Sequence, residues 1–204
     1  GRVLTSEDRV VTYTARNFEP YRGFHIFMRA LPQILERCPG ATVVVVGNDE
    51  ISYSAKLPPG ETYRARALKE VGARIDWSRV HFLPGLPYER YLALLQISSA
   101  HIYLTYPFVL SWSLLEAMAA GCLVIGSDTA PVREVVRDGE NGLLADFFSP
   151  ADIAAKVEAA LREPQRFAAL RRRARADVVE SFDLKKRCLP AQIALVEELA
   201  ARAG

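Results

Sequence analysis

Short apolar runs rich in β-branched residues alternate along this chain with longer stretches of helical period. RVVTYTA (9–15), ATVVVVG (41–47), RVHFLPG (79–85), AHIYLTY (100–106), CLVIGS (122–127) and a short GLLADF (142–147) read as strands. Helical patterns fall at 22–37, 61–73, 87–97, 113–120 and 131–137. This alternation predicts βαβ units around a parallel sheet. VVVVG is continuously apolar, as a central strand buried on both faces requires. Pro87 and Pro131 are each expected to open a helix, where the missing N–H costs nothing. Pro32, inside RALPQILERC, should kink its helix or mark its start.

After residue 148 the strands stop and the chain turns rich in Ala, Arg and Glu. Ser149 followed by Pro150 predicts a capped helix over SPADIAAKVEAAL, with two further helices near 164–180 and 183–202. The expected fold is therefore α/β: one domain over 1–204 with a doubly wound, Rossmann-like parallel sheet and a helical C-terminal tail from 149. Residues 50–62 form the one long polar loop. In such sheets ligands sit at the carboxyl ends of the strands, at the point where strand order reverses.

Composition narrows the classes. With 50% hydrophobic and 25% charged residues the chain reads as a soluble globular protein, and no apolar run approaches the roughly 20 residues of a membrane span. A net charge of +2 gives no drive toward nucleic acid. Cys38, Cys122 and Cys188 form no C-x-x-C, which points to a reducing, cytoplasmic compartment, and His25, His81 and His101 lack metal-ligand spacing. Because the chain begins at Gly1 without Met, a cleaved tag scar or an excised domain is expected. LRRRARAD (170–177) reads as a solvated helix face, with peripheral contact to an anionic membrane as the sharper alternative.

The segments that follow the strands carry the candidate chemistry. RNFEPYRGF after the first strand places Arg16 and Arg22 around a turn, with Gly23 opening a helix. Two guanidiniums beside a helix N-terminus suit a phosphate-sized anion; the alternative is that they solvate the loop or pair with Glu19. In SWSLLEAMA, Ser111 or Ser113 would cap a second helix aimed at the same crevice. Glu116 is placed to accept hydrogen bonds from a ribose diol, or else is a carboxylate favoured by the helix dipole. In EVVRDGENGLL the helix should end at Asp138-Gly139, with a turn of positive φ at Asn141-Gly142, and Glu134 is a further candidate for the crevice. Cys122 is expected to pack as a small hydrophobe, and Tyr53 and Trp77 are assigned no role.

TYTARNFEPYRGFHIFMRALPQILERCPGATVVVVG, VHFLPGLPYERYLALLQISSAHIYLT and SWSLLEAMAAGCLVIGSDTAPVREVVRDGENGLL occur in order over nearly the whole chain. Together they resemble the C-terminal, donor-binding domain of retaining GT-B glycosyltransferases of family 4 (glycosyl transferases group 1). The resemblance implies that Arg16 and Arg22 hold a donor diphosphate, Arg22 standing where Lys is more usual. It implies that Gly85, Leu86 and Pro87 lie beside the nucleobase and that Glu116 binds the ribose. Ser111, Ser113, Leu114 and Leu115 complete the expected donor set, with Arg16, Arg22 and Glu116 as the catalytic group.

One position departs from the family pattern: Phe108 stands where a first Glu is expected to contact donor-sugar hydroxyls. Ser111 and Trp112 are candidates for a different sugar environment. The implied reaction is retaining transfer of a sugar from a nucleotide diphosphate, the donor substrate, to a hydroxyl, with no metal and no other cofactor. The acceptor, a glycan or lipid, would be held by an N-terminal domain outside this chain. Two other readings stand beside it: a nucleotide-sugar epimerase of the same architecture, and a non-catalytic nucleotide-sugar binding module. A receiver domain lacks its acidic pair after the first strand, and a P-loop nucleotidase lacks its G-x-x-x-x-G-K-[ST].

Overall fold

The computed structural model of the chain describes residues 3–203. Six parallel strands form one sheet: β1 (Arg9–Asn17), β2 (Ala41–Asn48), β3 (Val80–Leu83), β4 (Ser98–Tyr103), β5 (Val124–Ser127) and β6 (Leu143–Ala145). Their spatial order is β3-β2-β1-β4-β5-β6, so the chain reverses direction across the sheet between β1 and β4. Valines 43 to 46 of β2 are buried on both faces, as their uninterrupted run requires.

Helices cover both faces. α1 (Phe24–Arg37), α2 (Tyr63–Val71) and α6 (Pro150–Arg162) pack on one side, where Val11 and Tyr13 of β1 meet Phe24, Phe27 and Leu31. Tyr13 stacks on Phe27 with ring centres 4.5 Å apart. On the other side lie α3 (Tyr88–Ile97), α4 (Trp112–Ala119) and the short α5 (Ala130–Arg133), with α7 (Ala168–Phe182) packed outside α4. The tail ends in a π-helical turn, Leu184–Cys188, and α8 (Leu189–Ala203), which leaves Leu189, Ile193, Val196 and Leu199 exposed. No described helix is long and apolar enough to cross a membrane.

Several local expectations change. α1 runs through Pro32 and starts at Phe24, so the proline does not mark its beginning. α5 is shorter than the 131–137 pattern because Asn141 intercepts its end: its Nδ2 donates to the Val135 carbonyl, and its Oδ1 accepts the Arg137 N–H at 2.7 Å. The positive φ of that turn falls at Gly139, whereas Gly142 is needed for space, since a Cβ there would lie 2.8 Å from Val136 Cγ1. LRRRARAD is only partly a solvated face. Arg171 donates to the carbonyls of Gly121 and Ser98, Arg175 donates to that of Ala119, and Arg173 pairs with Asp177. Arg171 and Arg175 staple α7 to the end of α4 and to the start of β4, whereas the Arg173 pair lies within α7. Cys122 is fully buried, as expected of a small hydrophobe, with its thiol on the Leu95 carbonyl and burial pushing its pKa up to about 12.

Gly23 ends the 3-10 turn Pro20–Arg22 with φ 67° and caps α1, and a Cβ there would stand 2.5 Å from Leu104 Cβ. Gly23→Ala should therefore lower unfolding free energy by about 2 kcal/mol or more, read from denaturant midpoints. His101 of β4 is fully buried, with Nδ1 2.8 Å from Thr12 Oγ1 of β1, and burial lowers its pKa to about 4. It stays neutral in the fold while an unfolded His protonates near 6.5, so it contributes stability above pH 6.5 that is lost as pH falls toward 4. His25 shifts in the same direction through burial and Arg29. His101→Asn should flatten, but not abolish, the slope of stability against pH in that window; an unchanged slope would show that His101 is not its source.

Candidate functional site

The reversal of strand order opens a crevice at the carboxyl ends of β1 and β4, where a cavity of about 350 Å³ is found. β1 to β4, or the segments that follow them, contribute. β1 supplies Thr14 to Asn17, the segment after β2 supplies Ser52 and Tyr53, and the loop after β3 supplies Gly85 and Leu86. β4 and the segment after it supply Tyr103, Ser111, Trp112, Ser113 and Glu116.

Arg16 projects where the β1–β2 register shifts between Thr14 and Asn17, a bulge that turns a side chain out of the ladder. The guanidinium is exposed and has no partner among the described residues. Asn48 fixes its backbone: Nδ2 donates to the Arg16 carbonyl while Oδ1 accepts the Gly85 N–H at 3.2 Å, tying the first loop to the third. Arg22 is more constrained. Its Nη1 donates to Thr105 Oγ1 at 3.1 Å and to the Val109 carbonyl at 3.0 Å, and its own carbonyl accepts from Tyr13 Oη.

Glu19 does not pair with either arginine. It is 1% exposed, and its Oε1 accepts the N–H groups of Ser52, Tyr53 and Ser54 at 2.7, 2.9 and 3.0 Å. A buried carboxylate needs such donors to offset its lost hydration. Its effect is to fold the polar loop back over the crevice and set Tyr53 in the wall. Asn17 adds a bond from Nδ2 to Ser52 Oγ at 2.7 Å, while its Oδ1 is buried without a partner.

Across the crevice, Ser111 caps α4, accepting from the Ser113 N–H, and its own N–H donates to Tyr103 Oη at 2.8 Å. Glu116 lies in the second turn of α4, past the first-turn positions that the helix dipole favours. Its charge, second to burial, raises the pKa of both Tyr88 and Tyr91. Tyr91 Oη and Thr14 Oγ1 are buried without partners, and both residues line the crevice.

Of the residues expected here, Arg16, Arg22, Gly85, Leu86, Ser111, Ser113 and Glu116 converge. Leu114 does not: its side chain is fully buried among Ala117, Met118 and Val124, and its N–H is spent on the Ser111 carbonyl. Leu115 packs partly buried against that core, and neither it nor the exposed Pro87 lines the crevice. Glu134 is exposed outside it. Sequence reasoning missed Thr14, Asn17, Ser52, Tyr53 and Tyr91 as lining residues. For Asn17 a signal existed in its place beside Arg16; for Ser52 and Tyr53 the only clue was the loop's length.

An open, doubly wound sheet with a cation-bearing crevice at its switch point defines a Rossmann-like ligand-binding domain. Residues 2–177 match the family described as glycosyl transferases group 1, and the chain belongs to that family. It is 30% identical over 170 residues to a D-inositol 3-phosphate glycosyltransferase of Rhodococcus jostii, covering 82% of this chain and 36% of that one. Sucrose-phosphate synthase from Thermosynechococcus elongatus superposes with a TM-score of 0.80 at 22% identity, over 98% of this chain and 47% of the other. HepE of Anabaena in complex with UDP and glucose does so with a TM-score of 0.76 at 21% identity, over 95% and 48%. The chain thus spans about a third to a half of the length of these relatives, and its fold is that of the C-terminal domain of GT-B glycosyltransferases.

If Glu19 organises the crevice wall, Glu19→Ala should release three amide hydrogen bonds, at about 1 kcal/mol or more each. Hydrogen exchange at Ser52, Tyr53 and Ser54 should accelerate well beyond that of the β2 amides. Unchanged protection at those three positions would remove Glu19 from this role.

Proposed function

We propose that this chain is the donor-binding half of a glycosyltransferase that moves a sugar from a nucleotide diphosphate to a hydroxyl acceptor. One observation carries the reading: the unpartnered Arg16 guanidinium, the tethered Arg22 and Glu116 face one crevice at the switch point of the sheet. Membership of the family supports the transfer class. In this reading Glu116, beside Tyr91, accepts hydrogen bonds from the ribose, and the base rests on the Gly85–Leu86 backbone.

The bond that breaks joins the anomeric carbon to the terminal phosphate oxygen of the donor, and negative charge grows on that oxygen as it leaves. Arg16 and Arg22 are set to receive this charge before it develops, so little reorganisation accompanies the step. The same two cations supply positive charge that would otherwise call for a metal, which makes a metal-independent transfer the reading we favour; that it proceeds with retention rests on the resemblance alone. Arg22 is held in place by Thr105 and Val109, whereas Arg16 is free to close on a bound diphosphate. The acceptor, a glycan or lipid, would be presented by a domain outside these residues.

Calorimetry with UDP, GDP, ADP and their nucleosides tests the assignment. Arg16→Ala should weaken diphosphate binding by about tenfold or more and leave nucleoside binding nearly unchanged. Glu116→Ala should weaken diphosphate and nucleoside alike. Equal diphosphate affinity for wild type and Arg16→Ala would refute the anion clamp.

A further inference from the structure

Three elements bring Thr14, Tyr91 and Glu116 to one crevice. Thr14 is the last residue of β1 in regular register with β2 before the strand shifts toward Arg16. Tyr91 lies one turn into α3 and packs against the core to which α4 contributes Leu114, Ala117 and Met118. Thr14 Oγ1 and Tyr91 Oη are both shielded from solvent and have no hydrogen-bond partner among the described residues. A hydroxyl so placed has given up its hydration for nothing, and two of them at the edge of one cavity ask for a common partner.

The chemistry of the three groups fixes how they can join. A carboxylate only accepts, whereas tyrosine and threonine hydroxyls both donate and accept. A chain through them therefore runs one way, from Thr14 Oγ1–H to Tyr91 Oη and from Tyr91 Oη–H to Glu116. Burial first, and then the charge of Glu116, raise the pKa of Tyr91, so the phenol keeps the proton it would donate, while Thr14 acts in the opposite sense as a hydrogen-bond donor to it. Because Tyr91 Oη is covered, a ligand in the crevice meets it only through the half-buried Glu116. Tyr88 also feels the Glu116 charge, but it is 59% exposed and lies outside the crevice lining, so water satisfies its hydroxyl.

Resting on the donor reading above, we infer that Tyr91 is a positioning residue for Glu116: backed by Thr14, its hydroxyl holds one carboxylate oxygen and leaves the other to the ribose diol. A carboxylate held in this way has lost its rotamer freedom before the ligand arrives, which strengthens the bonds it then accepts. The site thereby selects ribose over deoxyribose through a hydroxyl that the ligand never touches. Thr14 and Arg16 stand two residues apart at the same strand end, so one β1 terminus aligns the ribose group and the diphosphate group alike.

The test is calorimetry of the chain with pyrophosphate and with UDP, GDP and ADP, each beside its 2′-deoxy counterpart. On the nucleotide that binds, the ribo form should bind about tenfold tighter than the 2′-deoxy form. Tyr91→Phe, which removes only the hydroxyl, should cut that ratio to about threefold or less with pyrophosphate affinity unchanged, and Thr14→Val should lower it in the same direction. In a Glu116→Ala background Tyr91→Phe should change nothing further, a result that a merely structural role for Tyr91 does not give. Circular dichroism and melting of each variant confirm that it is folded. An undiminished ratio in both Tyr91→Phe and Thr14→Val, while Glu116→Ala abolishes it, overturns the positioning role alone. Equal binding of ribo and 2′-deoxy forms by the wild type overturns that role together with the ribose assignment of Glu116. Absence of binding by all three diphosphates overturns the donor reading and this inference with it.

Discussion

The carboxyl end of β1 is the point on which the site depends. β1 is hydrogen-bonded to β2 on one side and β4 on the other, with helices over both faces, so its residues are fixed until the register shifts at Thr14. Beyond that shift Phe18 rejoins β2 through the Asn48 carbonyl at 2.9 Å. The residues between have no room in the ladder and are expelled toward the crevice. Arg16 stands there because the flanking residues are held, and Asn48 then fixes its backbone to the third loop. A strand that simply ended at residue 14 would leave the same arginine on an untethered loop.

A buried carboxylate does the complementary work. Glu19 sits two residues after the bulge and before the 3-10 turn, where an acidic residue near two arginines invites an ion-pair reading. Its burial removes it from both and gives it to the amides of the 52–54 segment. Had Glu19 neutralised Arg16 or Arg22, the crevice would have lost much of its attraction for an anion. Because the carboxylate is satisfied elsewhere, Arg16 keeps its charge unpartnered and the polar loop gains a fixed course.

The tail and the far face of the sheet show the same division between hydrophobic packing and specific polar contacts. Apolar positions of α4 and α5 form a core with Tyr103 and Val124, and arginines of α7 reach over α4 to carbonyls that the helix end and neighbouring strands leave free. Arg137 and Asn141 both bind Asp177, joining the β6 approach to α7. α7 thus packs along α4, the helix whose N-terminal half carries Ser111 and Glu116 to the crevice.

All six strands and the helices between them were legible in the sequence because each obeys a local period: β-branched runs for strands buried on two faces, and proline or serine starts for helices. So too were Arg16, Arg22, Ser111 and Glu116, which follow strands that a doubly wound sheet must align at one edge. Element ends were less legible, since Asn141 shortens α5 through contacts made by a side chain several residues away. The tertiary structure alone decided the rest. Leu114 turned to the core because one face of α4 packs on the sheet, and Glu19 chose amides over arginines because its partners lie more than thirty residues away. Tyr53, in a loop with no period of its own, entered the crevice wall only because that carboxylate draws it there. Periodicity is written along the chain; the partner of a buried charge is set by which distant segments the fold brings within hydrogen-bond reach.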